Sequence, residues 1–145
     1  MVVFRWKSTV QNRDLIWYID RALQLLARDV PEAYCTIQDV AEGLFLAVES
    51  DKSAGSLAVI HPTIEVFGPT DDCDVAAKVN EAVIIDLIDG NITLNEALSR
   101  DQLVLTGSQS DLEKLVSGLQ SFLRGAVRSS AILALLDAFR DHTRG

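Results

Sequence analysis

Two histidines and two cysteines are the side chains of this sequence best suited to bind a metal ion or to act as a base or nucleophile. Neither His61 nor His142 has a second histidine, cysteine or carboxylate at a metal-ligand spacing on the same element, and Cys35 and Cys73 lack the Cys-x-x-Cys spacing. Two cysteines are also too few for a disulfide framework, and reduced thiols in a cytosolic protein explain them simply. We therefore expect neither a metal site nor a cofactor.

Two other patterns are compatible with anion binding or acid catalysis. The turn Gly107-Ser108-Gln109-Ser110 follows a predicted strand and precedes a predicted helix, where backbone amides can bind an anion, but an N-cap serine explains it more simply. Asp86 is an acid within an apolar run, and the solvated face of an amphipathic helix accounts for it. The sequence contains neither a Gly-x-Ser-x-Gly elbow nor a glycine-rich dinucleotide turn. We expect no catalytic residue and no enzymatic activity.

Length and charge narrow the class of protein. A chain of 145 residues with 48% hydrophobic residues is sufficient for one core, so we expect a single domain over residues 1–145, with residues 1–12 either docked on the core or mobile. The net charge of −8 disfavours nucleic acid as a partner. The apolar runs are shorter than a bilayer span and the N-terminus does not resemble a signal peptide, which predicts a cytoplasmic protein without an integral membrane segment.

The elements that would position any site are helices at both ends of the chain and a run of strands between them. A helix is predicted from Arg13, with Asn12 as N-cap, and a second from Pro31 to about Gly43. The predicted strands are Phe45–Val48, Ser56–Ile60, Thr63–Phe67, Asp74–Val79 and Gln102–Thr106. Further helices are predicted between Asn80 and Gly90, over Leu94–Ser99 with Thr93 as cap, after Ser108 or Ser110, and from Ser129 or Ser130.

This order of elements predicts an α+β fold: a sheet of about five strands, mostly antiparallel, with helices packed on one face. The last two helices carry long apolar stripes, including Leu115, Leu119, Phe122, Leu133 and Leu136. Such stripes usually form core, although helices that cover a sheet can also enclose an apolar ligand.

The stretch from Val75 to Arg140 resembles the sterol carrier protein type-two family. The likeness lies in the segment from Lys78 to Gly90, in Leu94-Asn95-Glu96-Ala97-Leu98, and in Gln102-Leu103-Val104-Leu105-Thr106-Gly107. The closing helices, with Phe122-Leu123-Arg124 and the segment from Leu135 to Arg140, look like an extended branch of the family.

The resemblance implies a five-stranded sheet whose helices enclose an apolar tunnel for fatty-acyl, sterol-like or isoprenoid ligands. It therefore favours a non-catalytic carrier or binding domain. The residues expected to line the tunnel are Leu87, Ile88, Leu105, Leu119, Phe122, Leu123 and Leu136.

A second hypothesis is a protein-interaction or homodimerisation module with a filled core and no ligand. It would present an outward apolar patch formed by Trp6, Trp17 and Tyr18, since the last two lie off the main stripe of the first helix. The same side chains could instead pack on the N-terminal segment. A large internal pocket favours the carrier, and a dimer without ligand favours the interaction module.

Overall fold

The computed structural model describes residues 14–144. The helices are α1 (Leu15–Asp29), α2 (Pro31–Val40), α3 (Glu81–Asp89), α4 (Leu94–Ser99), α5 (Gln109–Ala126) and α6 (Ser130–Arg144). The strands are β1 (Phe45–Glu49), β2 (Ala54–Ile60), β3 (Thr63–Phe67), β4 (Val75–Val79) and β5 (Leu103–Thr106). The five predicted strands are thus confirmed.

The strands form one sheet in the order β3-β2-β1-β4-β5. Three neighbouring pairs are antiparallel, and β1 pairs with β4 in parallel, with Leu46 opposite Val75. The antiparallel pairs β1–β2 and β2–β3 follow directly along the chain, whereas the parallel pair needs the long connection through β2 and β3. The prediction of a mostly antiparallel five-stranded sheet is confirmed.

Side chains alternate strictly between the two faces of the sheet. The inner face, which carries Leu46, Val48 and Leu57, packs with α1 and α6 in one hydrophobic cluster. The outer face carries an aromatic pair, Phe45 and Phe67, whose ring centroids are 5.4 Å apart. The helices that contribute to the core therefore cover one face of the sheet, as predicted.

Local capping explains where several helices begin and end. Thr93 and Glu96 form a reciprocal capping box at the start of α4, and the Ser108 hydroxyl accepts a hydrogen bond from the Asp111 amide at the start of α5. Gly90 ends α3 in the left-handed conformation, with φ of 78°. Asn80 occupies the N-cap position of α3 without a side-chain hydrogen bond, and Asp51 from the β1–β2 turn accepts a hydrogen bond from the Glu81 amide at 3.0 Å, which satisfies the first amide of the helix.

Two predicted helix boundaries are wrong by a few residues. The first helix begins at Leu15 rather than Arg13, because Asp14 is the N-cap and accepts a hydrogen bond from the Trp17 amide at 3.1 Å. The proposed cap Asn12 lies outside the described residues. The second helix ends at Val40, and residues 41–43 form a turn.

The end of α1 is tied to the beginning of α6. Ser129 is the N-cap of α6: its hydroxyl accepts a hydrogen bond from the Ile132 amide and donates one to Asp29 at 2.7 Å. Hydrogen bonds from Arg28 and from Ser129 lower the pKa of Asp29 to about 2. The terminal helix is therefore anchored at its first turn by a carboxylate that stays ionised over the ordinary pH range.

Candidate functional site

An apolar cavity of about 210 Å³ lies between the inner face of the sheet and the helices. All the residues that line it among the described part of the chain are apolar, and they come from all five strands and from α1 to α5. No side chain of residues 14–144 presents a hydrogen-bond donor or acceptor to this space, which is called here the main cavity. It can therefore hold hydrocarbon but offers nothing to orient a polar group.

The alternation of the strands builds the floor of the main cavity. Leu46, Leu57 and Ile64 occupy neighbouring strands on the inner face, and each is only partly buried because the cavity lies above it. Leu119 and Leu123 lie one turn apart on α5 and form part of the roof. Between the inner face of the sheet and α5, the side chains therefore do not interdigitate as they would in a filled core.

A second cavity of about 80 Å³, called the side cavity, lies within the helical layer. In the described part of the chain, its walls come from α1, α3, α5 and α6, and no strand residue lines it. Tyr18 and Phe139 line this cavity, with ring centroids 5.0 Å apart. Ile19, Ile84, Ile88 and Phe122 line both cavities.

The seven residues predicted to line a ligand tunnel fall into three groups, according to whether they line the main cavity, the side cavity or neither. Leu87, Ile88, Leu119, Phe122 and Leu123 line the main cavity, and Leu136 lines the side cavity. Leu105 lines neither cavity: it packs against the clusters formed around Val75 and around Leu103 at the edge of the sheet. That these side chains contact a ligand stays a prediction.

The residues predicted from the sequence to line the site did not include most of the cavity floor or any residue of α1. Leu46, Val48, Leu57 and Ile19 line the main cavity, yet only helix residues and one strand residue were expected there. The period-two pattern of β1 and β2 would have assigned the strand residues to one face. It could not have assigned the distance between that face and the helices.

The outward aromatic patch of the interaction hypothesis is wrong for Tyr18. Tyr18 is 7% exposed and packs between Phe139 and His142 of α6. Trp17 is half-buried and contacts the Tyr18 ring edge-on, with centroids 5.0 Å apart. Trp6 lies outside the described residues, as does any contact of these rings with the N-terminal segment.

A polar cluster at the start of α3 contains a buried carboxylate that the sequence did not single out. Glu81 is 1% exposed; its Oε2 accepts a hydrogen bond from the Ser50 hydroxyl at 3.3 Å, and its Oε1 lies 3.4 Å from His142 Nε2. The latter two atoms are not aligned as a hydrogen bond. Arg140, two residues earlier on α6, pairs with Asp89 at the other end of α3. The terminal helix α6 therefore contacts α3 through charged or polar groups at both ends of α3.

The metal-binding side chains do not converge in the described part of the chain. Cys35 and His61 are exposed, Cys73 is half-buried near Ser56, and His142 belongs to the cluster around Glu81. Within residues 14–144 no three such side chains are grouped as a metal site would require. None of the described helices is both long and apolar enough to cross a bilayer.

Comparison with known proteins identifies the fold. No protein-family model matches the sequence, and no curated protein matches it either. The structure of sterol carrier protein domain 2 of Helicoverpa armigera superposes with a TM-score of 0.56 at 12% identity, over 72% of this chain and 88% of that chain. Sterol carrier protein 2 gives 0.52 at 18% identity, over 76% and 96%.

A third similar structure is the ubiquinone synthesis protein UbiJ-SCP2, with a TM-score of 0.52 at 20% identity, over 68% of this chain and 84% of that chain. All three superpositions have a TM-score above 0.5 although the sequence identity is 20% or lower. The chain has the fold of the sterol carrier protein type-two family.

Proposed function

We propose that this domain binds an apolar ligand in the main cavity and acts as a carrier or binding module that performs no covalent chemistry. The observation that carries the proposal is an internal space of about 210 Å³ whose lining residues are all apolar. The similarity in fold to sterol carrier protein 2 and to a ubiquinone synthesis protein supports the same conclusion. Fatty-acyl, sterol-like and isoprenoid molecules are the ligand classes of suitable chemistry.

The energetics of the cavity favour an occupant. Side chains that border unfilled space forgo van der Waals contacts, and the main cavity, at about 210 Å³, has an apolar lining from which such contacts could be made. A ligand restores the missing contacts and gains about 25 cal/mol for each Å² of its apolar surface removed from water. Water is a poor substitute, because none of the described lining side chains offers it a hydrogen bond.

The alternative, an interaction or homodimerisation module, presupposes a filled core. The main cavity argues against that premise, and the burial of Tyr18 removes one of the three aromatic residues assigned to the docking patch. If the protein in solution had twice the mass of one chain and carried no bound ligand, this alternative would be favoured again.

Filling the main cavity with protein tests the proposal. Leu119 is half-buried in the cavity roof on α5, so Leu119→Trp places a larger side chain where the ligand would lie. The matched control is Leu133→Trp, since Leu133 on α6 is 40% exposed and lines neither cavity. Binding of a fluorescent fatty acid is measured by titration, and circular dichroism reports whether each variant is folded.

We expect Leu119→Trp to weaken binding of the fluorescent fatty acid at least tenfold, and Leu133→Trp to bind like the wild type. A folded Leu119→Trp variant with unchanged affinity would place the ligand outside the main cavity. Failure of the wild type to bind any fatty acid or isoprenoid would refute the carrier function itself.

A further inference from the structure

The main cavity and the side cavity have a common wall. Ile19 of α1, Ile84 and Ile88 of α3, and Phe122 of α5 line both cavities. These four side chains, called the partition, therefore lie between the two cavities, and the cavity on either side of them is apolar. Removing or turning a member of the partition would convert two cavities into one.

Phe122 is the member of the partition best able to move. The isoleucines are branched at Cβ and therefore hold essentially one χ1 rotamer within a helix, whereas phenylalanine has two χ1 rotamers available in a helix and a broad, two-fold χ2. The Phe122 side chain is half-buried and packs against two hydrophobic clusters, one containing Tyr18 and Leu23 and the other containing Leu25 and Leu26. Turning the ring exchanges one apolar environment for another, so the movement exposes no polar group.

The volumes indicate what the partition controls. A cavity of about 150 Å³ holds benzene, so by proportion the main cavity, at about 210 Å³, holds roughly eight carbon atoms. The main and side cavities, at about 210 and 80 Å³, together offer about 290 Å³, which corresponds to roughly twelve carbons. The joined space also approaches the lower end of ordinary ligand pockets, about 300 Å³.

We propose that Phe122 is a gate that sets the length of the bound chain: the two cavities are chambers of a single site, and a linear hydrocarbon chain enters the side cavity when the Phe122 ring turns aside. This inference rests on the proposed function and specifies the shape of the ligand. A flexible chain can bend through the partition, but a rigid fused-ring sterol cannot. The site therefore selects one unbranched chain of about twelve carbons.

The test is a series of saturated fatty acids with eight, ten, twelve, fourteen and sixteen carbons, each competing with a fluorescent fatty acid. Each CH₂ that enters the site should raise affinity about fourfold. For the wild type we expect affinity to rise up to about twelve carbons and then to level off, and cholesterol not to compete. Equal competition by cholesterol and by dodecanoate would overturn the selection of a linear chain.

Variants of Phe122 move the plateau in opposite directions. Phe122→Trp enlarges the partition and should end the rise at about eight carbons. Phe122→Ala removes most of the gate and should extend the rise beyond fourteen carbons, and Phe122→Leu, which disturbs packing less, should extend it by a smaller amount. Leu133→Ala, outside both cavities, is the control and should keep the wild-type plateau.

The outcomes separate this inference from the proposed function. If the fatty acids bind but the plateau is the same in all folded Phe122 variants, the gate is wrong while the carrier function stands. If an isoprenoid binds the wild type but no fatty acid does, the gate is wrong while the carrier function stands. If neither a fatty acid nor an isoprenoid binds, both are wrong.

Discussion

Two glycines on α5 predict opposite effects of the same substitution. Gly118 and Gly125 lie within the helix and face α2, where α5 and α2 pack closely. Replacing either glycine with alanine gains about 1 kcal/mol from helix propensity, because alanine loses less backbone entropy on folding. The contacts of the added methyl group then decide the net change in the free energy of unfolding.

The structure gives those contacts directly. A Cβ at position 118 would lie 3.6 Å from the Ala41 Cβ and 3.9 Å from Ile37, which is ordinary van der Waals contact. A Cβ at position 125 would lie 2.7 Å from the Ala33 Cβ and 2.9 Å from Leu26 Cδ1. The Ala33 Cβ is fixed to the backbone, so the clash is relieved only if α2 and α5 separate.

Gly118→Ala should therefore stabilise the domain by about 1 kcal/mol. Gly125→Ala should destabilise it by up to about 2 kcal/mol, because overpacking costs about 1–3 kcal/mol and offsets the gain in propensity. Urea unfolding followed by circular dichroism measures both changes, and thermal unfolding should shift by roughly 2–4 °C per kcal/mol. If both variants shift stability in the same direction by the same amount, the packing of α2 on α5 is not as described.

Two further predictions concern the ends of helices. The Asp29 carboxyl should titrate near pH 2 by NMR, so its contribution to stability is complete above about pH 4 and is lost as the pH falls toward 2. Ser129→Ala should raise the pKa of Asp29. A pKa near 4 for Asp29 in the wild type would contradict the assignment. Thr93→Ala should lower the free energy of unfolding in urea by about 1 kcal/mol, because the capping box is lost. Thr93→Ser should retain most of the stability. Equal losses in the two variants would show that the hydroxyl is not the cap.

Most of the fold could be predicted from the sequence because its signals are local. Strand alternation around Ile64 and Val66, the turn residues between β1 and β2, and the caps Thr93, Ser108 and Gly90 each act over a few residues. The start of α1 was misplaced because both Asn12 and Asp14 are good N-caps. In the structure Asp14 is the N-cap, and its side chain accepts the hydrogen bond from the Trp17 amide.

The candidate site could be predicted only on its helical side. Apolar stripes place Leu119, Phe122 and Leu123 on one face of α5, but the same stripe suits a solid core. Whether space remains above Leu46 and Leu57 depends on how far the helices stand from the sheet, and tertiary packing determines that distance. The contact of Glu81 with His142 joins residues 61 positions apart, which no local pattern predicts.

Native mass spectrometry of the purified protein, followed by denaturing extraction and lipid analysis, tests the central claim most directly. An occupied cavity predicts a near-stoichiometric apolar species bound to the chain, or a one-to-one complex after incubation with dodecanoic acid. A mass corresponding to the bare chain both before and after that incubation would contradict the claim that this domain is a carrier of apolar ligands.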